Sequence, residues 1–174
     1  MISCMSLEGL NGNVSPLRDG AQRQRPYPRQ IETAAALRSY LEGSYLYEPS
    51  EGRPLQDPLS FRCVSQVHGA VRTAMDYARE NLEIHLNASD DNPCLLLDER
   101  DITSCGNFDP LVWVLGMQNL SVALSHVSKM SCLRSLKLAM PGFTGLTRHL
   151  TPNDDTIAFS TIQKTYASMD AEIR

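Results

Sequence analysis

The stretch SFRCVSQVHGAVRTAMDYARENLEIHLN, Ser60 to Asn87, decides the fold class because its apolar residues recur at steps of three and four. With about 3.6 residues per helical turn, this spacing gathers them on one face of an α-helix. The apolar positions are Val64, Val67, Val71, Ala74, Met75, Ala78 and Leu82. We therefore predict one long amphipathic helix over this stretch.

A second long helix is predicted from about Asp109 to Leu138, with Pro110 suited to its first turn. Its segment LVWVLGMQNLSVALSHVS, Leu111 to Ser128, contains no Asp, Glu, Lys or Arg. That length raises the question of a membrane span. Its polar side chains argue against one, because each would need a partner inside lipid. They are Gln118, Asn119, Ser121, Ser125 and His126. We instead expect a core helix that this chain cannot surround alone, and therefore an oligomer.

The remaining sequence divides into shorter elements around these two helices. A helix is predicted from about Gln30 to Glu42 and an irregular segment over residues 11–29. The connector between the long helices favours a short β-hairpin near residues 94–104. A final helix is predicted to start near Asp154–Thr156, with Asp154, Asp155 and Thr156 as cap candidates. The predicted fold is mainly α, with long antiparallel helices.

Composition excludes several classes of function. The chain has 174 residues and a net charge of -4, and no Lys/Arg cluster provides the footprint of a nucleic-acid-binding protein. Its five cysteines include no CxxC pair, and its four histidines lack metal-ligand spacing. Among the four histidines, only His68, which lies on the helix after Arg62, is a candidate for a role near a substrate. The residues after Met1 lack the features of a signal peptide, so we expect a cytoplasmic protein.

The segment LQDPLSFRC, Leu55 to Cys63, places an amide, a carboxylate and a guanidinium close together at a helix start. Acidic residues favour helix N-termini, but a cation such as Arg62 faces the wrong end of the helix dipole there. On the residues alone, a structural ion pair between Arg62 and Asp57 is favoured over a ligand site.

Several segments, taken in order, resemble the histidine/phenylalanine ammonia-lyase family of aromatic amino acid lyases and 2,3-aminomutases. They are SLEGLNG, RPYPRQ, LQDPLSFRC, QVHGA, SDDNP, SCGNF and LTPN, and the likeness runs from Ser6 to Glu172. The resemblance implies a mostly helical homotetramer that eliminates ammonia from a small amino acid of the histidine, phenylalanine or tyrosine type.

The resemblance also implies a prosthetic group, 4-methylideneimidazole-5-one, which the family forms from an internal Ala-Ser-Gly triplet. This chain contains no Ala-Ser-Gly, and in the family the triplet lies N-terminal to the matching stretch. Residues 1–174 are therefore interpreted as a single partial domain. It is the central helical region of a longer enzyme, without the N-terminal prosthetic-group region and the C-terminal helices. We expect the 174-residue chain alone to be inactive.

Four residues match family positions at the active site. The resemblance assigns Arg62 to the substrate carboxylate, for which a planar guanidinium is well suited. It places Gln56 beside the prosthetic group as a catalytic residue, since an amide can both donate and accept. Asn107 and Phe108 match a segment that borders the substrate pocket. Asp57 is interpreted as holding the loop or Arg62.

Further family positions are scaffolding or departures. Gln66 and Asn92 are interpreted as scaffolding, and Glu172 has only a weak claim to the site. Leu59 stands where the family motif has a tyrosine that acts as an acid or base, and Asp109 stands where it often has histidine. Leucine cannot transfer a proton. These departures indicate a divergent member, for example an aminomutase or an inactive homologue. The non-enzymatic alternative is a helical fragment that builds an oligomer core.

Overall fold

Helices form most of the chain in the computed structural model, which describes residues 1–153 and 155–173. The α-helices are α1 (Ile2–Leu10), α2 (Asp19–Arg23), α3 (Pro28–Tyr40), α4 (Leu59–Arg62), α5 (Val64–Leu86), α6 (Leu111–Leu138), α7 (Pro141–Thr144) and α8 (Ile162–Ile173). Short 3-10 helices span Ser15–Leu17, Tyr45–Tyr47 and Arg148–Leu150. Strands β1 (Cys94–Leu96) and β2 (Asp101–Thr103) form an antiparallel hairpin. The mainly α fold and the hairpin near residues 94–104 are thus confirmed.

Helices α5 and α6 are antiparallel neighbours. Near one end of the pair, the ring of Trp113 lies 5.7 Å from that of His85. Near the other end, Arg134 Nη1 donates a hydrogen bond of 3.1 Å to the carbonyl of Ser60. The start of α6 therefore packs beside the end of α5, as predicted for the two long helices.

A break at Cys63 divides the helix that the sequence predicts to begin near Ser60. Cys63 has φ -98° and ψ 19°, outside the helical region. Its N–H donates to the Leu59 carbonyl at 3.0 Å, and its own carbonyl accepts from Val67 N–H at 3.1 Å. The break leaves Arg62 at the end of the separate short turn α4.

The hydrophobic core lies where α1, α3 and α4 meet the start of α5 and the second half of α6. Its buried members are Cys4, Leu7, Leu10, Leu17, Leu37, Leu41, Leu46, Phe61, Val64 and Met130. Helix α3 crosses α5 at Gly69, where an added Cβ would lie 2.6 Å from Gln30 Cα. Glycine is thus required for the close approach of these two backbones.

The ends of the chain differ from the sequence prediction. Helix α1 was not predicted, and α2 lies within the segment expected to be irregular. The last helix begins at Ile162, so its predicted start near Asp154–Thr156 was wrong. Asp155 N–H donates to Asn153 Oδ1 and Thr156 Oγ1 to the Asn153 carbonyl, both at 3.2 Å, so these residues form a turn instead of a cap. Asp154 lies outside the described residues.

Helix α6 presents much of its apolar surface to the outside of this chain. Its exposed residues include Leu111, Val112, Leu115, Met117, Val122 and Leu124. By length and composition α6 could cross a membrane, and 11% of its most apolar window is buried within the chain. A contiguous set of exposed apolar residues such as this is typical of a surface that binds another protein.

Candidate active site

The side chains of Arg62 and Gln56 meet at the start of α4. Pro58 precedes the helix and accepts the first backbone hydrogen bonds, from Phe61 and Arg62. This turn brings the Arg62 guanidinium back over the preceding loop, where Nη1 donates to Gln56 Oε1 at 2.8 Å. Arg62 Nε is buried and has no partner among the described residues. The guanidinium is therefore bonded through Nη1, and its remaining N–H donors suit a planar anion such as a carboxylate.

Asp57 anchors the loop that carries Gln56. Its side chain is buried, with the residue only 4% exposed, and Oδ2 accepts from the backbone N–H of Asn13 at 2.7 Å. Burial raises the pKa of this carboxyl, and the positive charges of Arg53 and Arg62 oppose that shift. Of its two predicted roles, the hydrogen bond to Asn13 corresponds to holding the loop.

A cavity of about 450 Å³ lies next to this loop. Gln56 and Asp57 line it on one side, and the turn at Gly142–Gly145 lines it on the other. A second groove, of about 520 Å³, runs between α3, α5 and α6, and residues of the segments RPYPRQ and QVHGA, Gln66 among them, line it. Gln56, which lines the smaller of these two cavities, is the hydrogen-bond partner of Arg62, so that cavity is the candidate substrate site.

Asn107 and Phe108 lie at the opposite end of the long helices. Both are exposed in the connector before α6, Phe108 with 59% of its surface. Helix α5 has 23 residues, which corresponds to a length of about 35 Å. Within one chain, the structure does not bring these two residues to Arg62 and Gln56.

The connector that carries Asn107 is held by Asn92. Its Oδ1 accepts from Cys105 N–H at 2.9 Å and from Ser104 Oγ at 3.2 Å. Asp109 Oδ1 accepts from Leu111 N–H at 2.9 Å and so caps the start of α6. Capping is therefore a structural reason for an aspartate at position 109.

His68 has a partly buried ring on α5. Its Nε2 is buried without a partner among the described residues. Burial lowers the pKa of His68, and the nearby charges of Arg134, Arg72 and the N-terminus lower it further. These effects favour the neutral form of the imidazole.

The remaining family positions have simple surroundings. Gln66 Oε1 accepts from Ser65 Oγ at 3.0 Å, in keeping with a scaffolding role. Leu59 is 62% exposed at the start of α4 and offers no acid or base. Glu172 is exposed on α8. Residues 1–174 contain no Ala-Ser-Gly triplet, so they do not supply the precursor of the prosthetic group.

Sequence reasoning missed two residues that contact the loop and the turn carrying Gln56 and Arg62. Asn13 holds Asp57 through its backbone, for which a sequence carries no signal. Arg134 is only 5% exposed, and it bonds Ser60, two residues before Arg62. A signal did exist for Arg134: a charged residue one helical turn after Met130 lies on the buried face of α6.

The architecture defines the class, that of the helical amino acid lyases and aminomutases. The crystal structure of the ergothioneine-degrading enzyme ergothionase from Treponema denticola, in complex with desmethyl-ergothioneine sulfonic acid, superimposes with a TM-score of 0.95 at 49% identity. The match covers 99% of this chain and 35% of that one. Histidine ammonia-lyase from Trypanosoma cruzi gives a TM-score of 0.86 at 26% identity, over 98% of this chain and 32% of that one.

The family is aromatic amino acid lyase, whose sequence profile matches residues 1–174, and the chain belongs to it. A curated relative, histidine ammonia-lyase of Anaeromyxobacter dehalogenans (strain 2CP-C), is 38% identical over 176 aligned positions. That alignment includes 99% of this chain and 35% of the relative. The chain thus spans about a third of the length of the curated relatives it matches, and the family predicted from the sequence is confirmed.

Proposed function

We propose that the protein containing this chain is a carbon–nitrogen lyase that acts on a small amino acid bearing an aromatic or imidazole ring. The family and its histidine ammonia-lyase members support this reaction class. The observation that carries the proposal is the Arg62–Gln56 pair beside the 450 Å³ cavity. In the proposed complex Arg62 binds the substrate carboxylate in a forked contact, and Gln56 orients the guanidinium and borders the reacting atoms.

The position of Asn107 and Phe108 supports an oligomeric active site. Since about 35 Å separates them from Arg62 along α5, they reach the same substrate only if another subunit contributes them. The exposed apolar surface of α6 supports such an assembly. We propose a homotetramer, the state that the family resemblance implies, located in the cytoplasm.

The prosthetic group 4-methylideneimidazole-5-one belongs to the same proposal. When bound, it would supply an electrophile that activates the substrate for loss of its amine. Its precursor would come from a segment outside residues 1–174, and the residues described here would bind and orient the substrate.

Ergothioneine is the second candidate substrate. The identity of 49% to ergothionase, against 38% to histidine ammonia-lyase, favours it. Ergothioneine is a histidine betaine, so it offers Arg62 a carboxylate and an imidazole-derived ring. Its nitrogen carries three methyl groups, so cleavage of the C–N bond would release trimethylamine instead of ammonia. Leu59 in place of a tyrosine is consistent with a changed substrate.

Product analysis on the full-length protein tests these candidates. The purified protein is incubated separately with L-histidine, L-phenylalanine, L-tyrosine and ergothioneine, and ammonia and trimethylamine are quantified. Release of either amine with the matching unsaturated acid supports the lyase. A shift of the amino group to the β-carbon would indicate an aminomutase.

The isolated 174-residue chain provides the negative control and should release no amine. A well-folded full-length tetramer that is inert to all four compounds would contradict the proposal and favour a purely structural assembly.

A further inference from the structure

The helix break at Cys63 leaves the Ser60 carbonyl free to accept a hydrogen bond from another helix. In an uninterrupted helix the Ser60 carbonyl would accept from Val64 N–H. Here it accepts from Arg134 Nη1, on α6, at 3.1 Å. A side chain 74 positions away in sequence thus completes the hydrogen bonding of the turn that carries Arg62.

Burying the charged side chain of Arg134 at this point costs desolvation free energy. Arg134 is 5% exposed, and its other contact is a hydrogen bond from Nη2 to Ser131 Oγ at 3.1 Å. Among residues 1–153 and 155–173, no carboxylate lies within 4.0 Å of its guanidinium. Burial accordingly lowers the pKa of Arg134. A buried charge without an ion-pair partner carries a desolvation cost, so stability alone is a weak explanation for this arginine.

We propose that Arg134 is a positioning residue: by holding the Ser60 carbonyl it fixes the α4 turn so that Arg62 faces the substrate carboxylate. Ser60 and Arg62 belong to the same four-residue helix, so a rotation of that turn moves the Arg62 guanidinium directly. The inference rests on the proposed role of Arg62 and adds a residue from α6, outside the lining of the 450 Å³ cavity.

The test uses the full-length protein with Arg134→Met, which keeps the aliphatic volume, and Arg134→Lys, which keeps the charge. Lys129→Met removes a charge from an exposed position of the same helix and serves as the matched control. Hydrogen–deuterium exchange of residues 59–64 reports the hold on α4 without reference to activity. Arg134→Met should speed exchange there, Arg134→Lys should restore part of the protection, and Lys129→Met should leave it unchanged.

Enzyme kinetics then test whether substitution of Arg134 weakens substrate binding through Arg62. With whichever of L-histidine and ergothioneine the wild type turns over, Arg134→Met should raise KM by about tenfold and lower kcat by less. Inhibition by histamine, which has an imidazole but no carboxylate, should not change. In an Arg62→Met background the KM effect of Arg134→Met should disappear, because coupled residues are not additive.

The outcomes separate the inference from the function on which it rests. Unchanged exchange at residues 59–64, or a KM effect that persists at full size in the Arg62→Met background, would overturn the positioning role. If Arg62→Met alone leaves KM unchanged, the carboxylate-binding role of Arg62 fails, and the purpose assigned to Arg134 fails with it.

Discussion

Replacing Gly69 with alanine should test the close contact between α3 and α5. The new Cβ would lie 2.6 Å from Gln30 Cα and 2.7 Å from Gln30 N, whereas carbon atoms in good contact are about 3.5–4.0 Å apart. The obstructing atoms are backbone, and Gln30 is itself held by a hydrogen bond from its side chain to Gln22 Oε1 at 2.9 Å. Helix α3 must therefore shift by about 1 Å.

The magnitude follows from two opposing effects. Overpacking of a well-packed contact costs about 1–3 kcal/mol, and backbone obstruction places Gly69→Ala at the upper end. Alanine recovers about 1 kcal/mol of helix propensity relative to glycine. The net expectation is a loss of about 2 kcal/mol in the free energy of unfolding.

Thermal unfolding followed by circular dichroism measures this change on the full-length protein. Gly20→Ala is the matched control, because Gly20 is also helical, in α2, and no atom lies within 4 Å of its added Cβ. The control should be as stable as the wild type or slightly more so. Equal melting temperatures for the two variants would show that α3 and α5 are not in the close contact described above.

Two further substitutions test the loops that carry the predicted site residues. The folded-state pKa of Asp57 is raised above its ordinary value of 3.8, so the folded protein holds a proton on this carboxyl more tightly than the unfolded chain does. The stability that comes from protonating Asp57 is therefore fully present below pH 3.8 and is lost as the pH rises through the folded-state pKa. The melting temperature of the wild type relative to Asp57→Asn, which can keep the hydrogen bond from Asn13, should therefore increase as pH falls from neutral toward that value, and a decrease would contradict the sign. Asn92→Ala removes the oxygen that accepts hydrogen bonds from Ser104 and Cys105. Hydrogen–deuterium exchange at the Cys105 amide should become faster, and the free energy of unfolding should fall by about 0.5–1.5 kcal/mol. Unchanged exchange at Cys105 would show that Asn92 does not hold the connector.

The long helices were predictable because their signal is local. Apolar side chains at steps of three and four predicted α5, and an uncharged run after Pro110 predicted α6. Helix α1 was missed because it is short and the residues it buries include the polar Ser3, which interrupts an apolar stripe. The start of α8 was misplaced because Asp155 and Thr156, good caps by composition, bond to Asn153 instead.

The candidate site divides in the same way. The spacing of Gln56, Asp57 and Arg62 at a helix start favoured Asp57 as the partner of Arg62, whereas in the structure Arg62 donates to Gln56 at 2.8 Å. The break at Cys63 and the contact of Arg134 with Ser60 depend on how α6 packs against the chain, which local sequence does not encode. The separation of Arg62 and Phe108 was implicit in the sequence, because the long helix predicted between them holds its two ends far apart.

The most direct test of the central claim is the effect of Arg62→Lys on the full-length protein, with kcat/KM and melting temperature measured on the same preparation. Lysine keeps the charge and most of the stem but loses the fork that binds a carboxylate. Losing such a charged hydrogen bond costs about 1.5–3 kcal/mol, so kcat/KM should fall by roughly tenfold to over a hundredfold. The melting temperature should stay close to that of the wild type. An unchanged kcat/KM with a lowered melting temperature would contradict the account and leave Arg62 a structural residue.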